Sequence, residues 1–139
     1  MWGYEYLVRT YIELGEIGKA KKLIDSIYEL ALKMRNTERI SVADALRGMQ
    51  FRAERKWQES IDHFEKSLKE SEEINLYRRT STIFAYYLTE YARVYLERDQ
   101  EGDKERAYKL LDEALGICQK VGTKVLMEKI IAKKKLLTA

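Results

Sequence analysis

The chain has 139 residues, of which 45% are apolar and 35% are charged, and it contains no proline and only seven glycines. Its 26 basic and 23 acidic residues are mostly intermixed, which argues against a nucleic-acid interface, and no apolar run is long enough to cross a bilayer. The lack of helix breakers and of β-type turn residues predicts an all-α protein.

The cysteine content and the first residues bear on location. Cys118 is the only cysteine, so an intrachain disulfide is impossible and an oxidising compartment is not indicated. A secretory signal begins with a basic segment followed by an apolar one, and the opening MWGYEYLVRT has no such order. We therefore expect a cytoplasmic protein with a single domain over residues 1–139.

Three copies of one apolar pattern follow each other along the chain. The first helix of each copy carries a compact residue and then an aromatic residue three positions later: Val8 and Tyr11, Gly48 and Phe51, Ala92 and Tyr95. The second helix carries a small residue and then a large one four positions later: Ala20 and Ile24, Ser60 and Phe64, Ala107 and Leu111. Small side chains, Ser67 among them, let neighbouring helices approach closely, so the pattern predicts interlocking helical hairpins.

These positions resemble the tetratricopeptide repeat, which places the same size classes on two successive helices. The chain departs from that pattern because it lacks the first-position tryptophan and the helix-ending proline, and because Arg47 replaces a leucine. Similar long, proline-free repeats occur in arrays of prokaryotic signal-transduction ATPases and transcriptional activators. The resemblance implies an α-solenoid of three hairpins plus a C-terminal capping helix, forming the C-terminal module of a larger regulatory protein.

Hydrophobic periodicity and turn residues place seven helices, in chain order, at residues 3–14, 17–34, 38–54, 57–74, 76–98, 103–121 and 123–137. The repeats then cover residues 1–36, 37–75 and 76–122, and the last helix is the cap. Gly122 is expected to end the sixth helix in a left-handed conformation. In the capping helix we expect one face to pack inward, opposite the lysines: Val125, Leu126, Ile130, Ile131 and Leu137.

Catalytic chemistry is not indicated. The sequence has no recognisable nucleophile with a base, metal-ligand cluster or glycine-rich phosphate loop, so we predict no enzymatic activity, no cofactor and no metal. His63, one turn after Glu59, is conceivable as half of a metal pair, but we interpret it as a solvated residue. Cys118 lies among apolar residues and is interpreted as a small core residue.

The resemblance also implies a concave groove lined by the first helix of each hairpin. The corresponding positions are Glu5, Arg9, Ile12 and Glu13 in the first copy, Ala45, Met49, Arg52 and Ala53 in the second, and Tyr86, Thr89, Arg93 and Glu97 in the third. Arginines mixed with an aromatic residue and a methionine suit an extended or helical peptide with acidic and apolar features.

The favoured function is therefore a non-catalytic protein–protein interaction scaffold that binds a protein or peptide partner, with no nucleic acid and no membrane involved. One alternative is a homodimerisation module that pairs two chains through the aromatic N-terminal end, with Trp2, Tyr4 and Tyr6. Another is an effector-sensing domain of a transcriptional regulator, which no residue pattern selects.

Overall fold

The computed structural model describes residues 2–74 and 82–138, and the regular structure in these ranges is entirely α-helical. In chain order the helices are α1 (Trp2–Glu13), α2 (Ile17–Lys33), α3 (Thr37–Ala53), α4 (Trp57–Ile74), α5 (Thr82–Arg98), α6 (Asp103–Val121) and α7 (Lys124–Thr138). The all-α prediction is confirmed. The predicted first turn of the fifth helix, residues 76–81, falls outside the described residues.

The helices form two compact units, Met1–Ile74 with α1 to α4 and Asn75–Ala139 with α5 to α7, called unit 1 and unit 2 below. In unit 1, α1 packs on α2 and α3, α2 packs on α3, and α3 packs on α4. In unit 2, α6 packs on both α5 and α7. Helices therefore pack on their sequence neighbours within each unit, as in a helical repeat.

The three turns of unit 1 share one geometry. Each contains a residue with positive φ, namely Gly15 (77°), Arg35 (50°) and Arg55 (61°). The next amide in each turn bonds back to a carbonyl five residues earlier, such as Glu16 N to Tyr11 O at 2.9 Å. This hydrogen bond is the signature of a Schellman helix end, which lets a three-residue turn reverse the chain without proline.

The α3–α4 contact confirms the predicted use of small residues. Ser60 is fully buried and its Oγ donates to the carbonyl of Gly48 at 2.6 Å. Farther along the same contact, Ser67 Oγ donates to Ser41 O at 2.7 Å and Ser41 Oγ donates to Ser67 O at 2.9 Å. Phe64 is buried between these serine contacts and fills the space beside Gly48. The equivalent compact residues of the other copies are also fully buried: Val8, Ala20, Ala92 and Ala107.

The first residue of α6 in unit 2, Asp103, is completely buried. Asp103 accepts two hydrogen bonds from Arg98, at 2.8 and 2.9 Å, one from Arg106 at 2.9 Å and one from the Gln100 amide at 2.9 Å. The Arg98 hydrogen bonds are the main reason that the pKa of Asp103 falls to about 2. Asp103 thus ties the α5–α6 turn together as an ion.

The last helix differs in part from its prediction. Gly122 ends α6 with φ of 73°, as expected, and Ile130 is fully buried. However, Val125 is 66% exposed and Ile131 is also exposed, so assigning them to the inward face was wrong. Leu126 lies four residues before Ile130 and shares its side of the helix, whereas Val125 is rotated about 100° away from Leu126.

Candidate functional site

The predicted groove positions of unit 1 divide into buried and accessible residues. On α1, Glu5 and Arg9 are partly exposed and Glu13 is exposed, whereas Ile12 is buried. On α3, Ala53 is partly exposed, and the remaining positions, Ala45, Met49 and Arg52, are buried. The accessible part of this set is therefore mainly charged, and its apolar part belongs to the packed interior.

The predicted groove positions of unit 2 lie on α5. Tyr86 and Arg93 are partly exposed and Glu97 is exposed, whereas Thr89 is buried and its hydroxyl donates to Ala85 O at 2.9 Å. Arg93 Nε donates to Glu97 at 2.7 Å, so this guanidinium is held along its own helix. A single groove lined by α1, α3 and α5 stays a prediction.

A polar cluster around the buried Asp44 joins α2, α3 and α4 in unit 1. We call Tyr28, Asp44, His63, Lys66 and Glu70 the Asp44 cluster. The Asp44 side chain is completely buried. Its Oδ1 accepts a hydrogen bond from the Tyr28 hydroxyl and lies 3.2 Å from His63 Nδ1 and 3.8 Å from Lys66 Nζ. Three helices therefore converge on one carboxylate.

His63 is held by this cluster, which corrects its interpretation as a solvated residue. Its side chain is only 30% exposed, its Nδ1 faces Asp44, and its ring centre lies 5.4 Å from that of Phe51. Asp44 lies 19 residues before His63, so sequence neighbours of the histidine gave no indication of the contact.

Protonation within the Asp44 cluster is strongly perturbed. Burial would raise the pKa of Asp44, but hydrogen bonds with His63, Glu70 and Tyr28 outweigh it and lower that pKa below its usual value. Burial, followed by the hydrogen bond and charge of Asp44, raises the pKa of Glu70 to about 8. The same two effects raise the pKa of Tyr28 far above its usual range. The arrangement stabilises one ionised carboxylate, Asp44, among neutral acids.

Beside the Asp44 cluster, Arg47 occupies the position where the repeat pattern has leucine. It binds Asp25 on α2, donates to Gln50 at 2.6 Å, and lies with its guanidinium 5.3 Å from the centre of the Tyr28 ring. A register shift of 40 residues from the first copy aligns Tyr4 with Asp44 and Leu7 with Arg47. Two polar residues at positions that are apolar in the first copy, Asp44 and Arg47, were the available sequence signal for this cluster.

The outer side of α1 carries large apolar side chains that remain in solvent. Tyr4 is 52% exposed and Leu14 is 69% exposed; between them, Leu7 is also exposed and Tyr11 is partly exposed. Tyr4, Leu7 and Tyr11 lie on α1, and Leu14 follows its last residue with its amide still bonded to Thr10 O at 3.0 Å, so the 3-4-3 spacing places all four along one side. We call these four residues the α1 stripe. Tyr6, beside this stripe, is also 69% exposed.

The other candidate sites are a cysteine, a surface pocket and possible metal-ligand clusters. Cys118 is fully buried, as predicted, and burial raises the pKa of its thiol, so it is not primed for nucleophilic attack. A cavity of about 610 Å³ at the α2–α3 turn is lined by surface residues, Met34, Arg35, Asn36, Thr37, Glu38 and Glu73. Within residues 2–74 and 82–138, no group of three or more His, Cys, Asp or Glu side chains is placed to hold a metal ion.

Comparison with known proteins provides no further assignment. A scan of the chain against protein-family models found no matching family. A search of curated proteins likewise found no significant match. In the described part of the chain, no helix has both the length and the apolar composition that crossing a membrane requires.

Proposed function

We propose that the chain is a non-catalytic protein-interaction module, a set of hairpins similar to tetratricopeptide repeats that binds a peptide or protein segment. The observation that carries this proposal is the direct packing of α1 on α3, which are the first helices of two successive hairpins. When first helices lie side by side, their outer sides form one extended surface for a ligand. We call the accessible predicted positions in unit 1, Glu5, Arg9, Glu13 and Ala53, the first-helix face.

The chemistry of the first-helix face favours a charged peptide. Glu5, Arg9 and Glu13 recur every four residues and therefore share one side of α1, with alternating sign. Met49 and Arg52 of α3, also predicted groove positions, are buried and therefore excluded from this accessible surface. A partner with both acidic and basic side chains would match these charges, and a rigid pair of hairpins loses little freedom on binding.

A peptide-library selection tests the proposal without knowledge of the natural partner. We expect displayed peptides carrying both charge signs to be enriched, and Arg9→Glu to weaken their binding about tenfold or more. Lys109→Glu is the matched control, because it makes the same charge reversal at an exposed position of α6. An unselective library, or selected peptides that bind Arg9→Glu as well as the parent chain, would refute the proposal.

A second candidate function, self-association, is favoured by the α1 stripe. The 3-4-3 spacing of its residues reads the same in both directions along α1. Two copies related by a twofold axis would therefore place Tyr4 opposite Leu14 and Leu7 opposite Tyr11, apolar against apolar. In this case the module would dimerise the regulatory protein that contains it.

Light scattering across a wide concentration range tests self-association. A dimer that Leu14→Ser converts to a monomer supports the α1 stripe as the interface. Leu32→Ser is the control, because Leu32 is similarly exposed but lies on α2. A chain that stays monomeric at every concentration excludes this candidate and leaves the peptide-binding proposal untouched.

A further inference from the structure

Two carboxyl oxygens of the Asp44 cluster lack a hydrogen-bond donor when both carboxyl groups are ionised. One oxygen of Asp44, Oδ2, and one of Glu70, Oε2, are buried without a hydrogen-bond donor. Glu70 lies seven residues after His63 and four after Lys66, both of which reach Asp44 from α4, so it shares the side of α4 that faces this carboxylate. The mutual effect of the two carboxyl groups on each other's pKa agrees with this placement. If both were ionised, two buried acceptors would face each other with no proton between them. One proton satisfies both groups, since a protonated carboxyl donates and a carboxylate accepts.

We propose that Asp44 and Glu70 share a single proton that fastens α4 to α3, and that this contact loosens when rising pH removes the proton.

The neighbours of each group show which one carries the proton. Asp44 receives the Tyr28 hydroxyl and His63 Nδ1 on its other oxygen, so its negative charge is well stabilised. The negative charge of Glu73, on the same helix, raises the pKa of Glu70 and so opposes ionisation of Glu70. Asp44 is therefore the ion and Glu70 is the acid that donates to it.

The surrounding charges do not replace the proton. Lys66 on α4 favours ionisation of both carboxyl groups, but its side chain is 58% exposed and water weakens its effect. The charge of Arg47 on α3 acts on Tyr28, whose pKa it lowers. The Arg47 guanidinium donates hydrogen bonds to Asp25 and Gln50. Loss of the proton therefore leaves a second negative charge beside the buried Asp44, with one solvated ammonium group nearby, and like-charge repulsion weakens this part of the α3–α4 contact.

The sign of the pH effect follows from the direction of the shift. The pKa of Glu70 in the folded chain, about 8, lies above the 4.5 of a free glutamate. The folded chain therefore holds more protons than the unfolded chain between these values. The stabilisation by this proton is complete below the lower value and is lost as pH rises through the upper one.

Thermal unfolding of the whole chain at several pH values tests the proposal. Glu70→Gln keeps an N–H donor for Asp44 but has no proton to lose. Between about pH 6 and pH 9, we expect the Tm of the parent chain to fall by at least about 4 °C relative to Glu70→Gln. Glu59→Gln, an exposed site on the same helix, should keep the parental profile. Parallel profiles for the parent chain and Glu70→Gln would overturn the proposal.

A carboxyl titration by NMR provides a readout that does not depend on unfolding. In the folded chain labelled with ¹³C-glutamate, we expect the Glu70 carboxyl to titrate well above the exposed glutamates. Asp44→Asn removes the charge that opposes ionisation, so it should lower the Glu70 midpoint. A Glu70 midpoint in the ordinary range for glutamate in the parent chain would overturn the shared proton.

Discussion

Gly48 on α3 and the ring of Phe64 on α4 are so close that a methyl group added at Gly48 would lie 2.7 Å from two ring carbons. Real side chains essentially never approach so closely, and the ring is itself buried, so it has no free space into which to move. The α3–α4 contact therefore depends on a missing side chain at one position and a large one at the other.

Gly48→Ala should destabilise unit 1 by about 1–3 kcal/mol, because overpacking outweighs the helix-forming advantage of alanine. The control is Gly18→Ala on α2, where nothing lies within 4 Å of the added methyl group. That control should be neutral or stabilising by up to about 1 kcal/mol. Urea unfolding measures both variants, and equal effects would contradict the close contact.

Phe64→Ala should cost about 3–5 kcal/mol, since a buried aromatic side chain is removed from between two helices. The free energy of unfolding from urea titration checks this value. A cost well below it would mean that Phe64 is not the residue that fills the α3–α4 contact.

Tyr28→Phe should cost about 1.5–3 kcal/mol, because the hydroxyl of Tyr28 donates to the ionised Asp44. Tyr6→Phe removes a hydroxyl from an exposed ring and should change stability by less than about 0.5 kcal/mol. Chemical denaturation near neutral pH compares the two variants. If both changes were equally small, Tyr28 would not support the Asp44 charge.

Asp103→Asn should destabilise the α5–α6 turn by about 1.5–3 kcal/mol near neutral pH, since Arg98 loses its ionic partner. The pKa of Asp103 is depressed from 3.8 to about 2, so its stabilisation is present above the higher value and is lost as pH falls through the lower one. Acid unfolding followed by circular dichroism should therefore show a shallower dependence between these values in Asp103→Asn. An unchanged acid profile would contradict this assignment.

The helices and the packing positions were predictable because they depend on local pattern. A small residue followed four positions later by a large one, as in Ser60 and Phe64, marks a helix side that meets another helix, and both are buried as expected. The turn at Gly15 was also predictable, because glycine accepts positive φ. By contrast, Arg35 and Arg55 adopt positive φ with no residue-type signal.

The Asp44 cluster was not predictable in the same way. Tyr28 and Asp44 are 16 residues apart, and His63 follows 19 residues after Asp44, so no short motif contains them. Only tertiary packing brings these residues together. Asp44 needs several hydrogen-bond donors because it is buried and has lost those of water. The division of the predicted groove positions into accessible and buried residues shares this difficulty, because burial of Met49 and Arg52 depends on tertiary packing.

Peptide binding by the first-helix face of unit 1 can be followed by amide chemical-shift mapping by NMR, with a library-selected peptide added to the whole chain. We expect saturable shift changes concentrated on α1 and on the C-terminal part of α3, near Arg9 and Ala53. Changes concentrated on α6 and α7, or none at saturating peptide, would contradict this proposal.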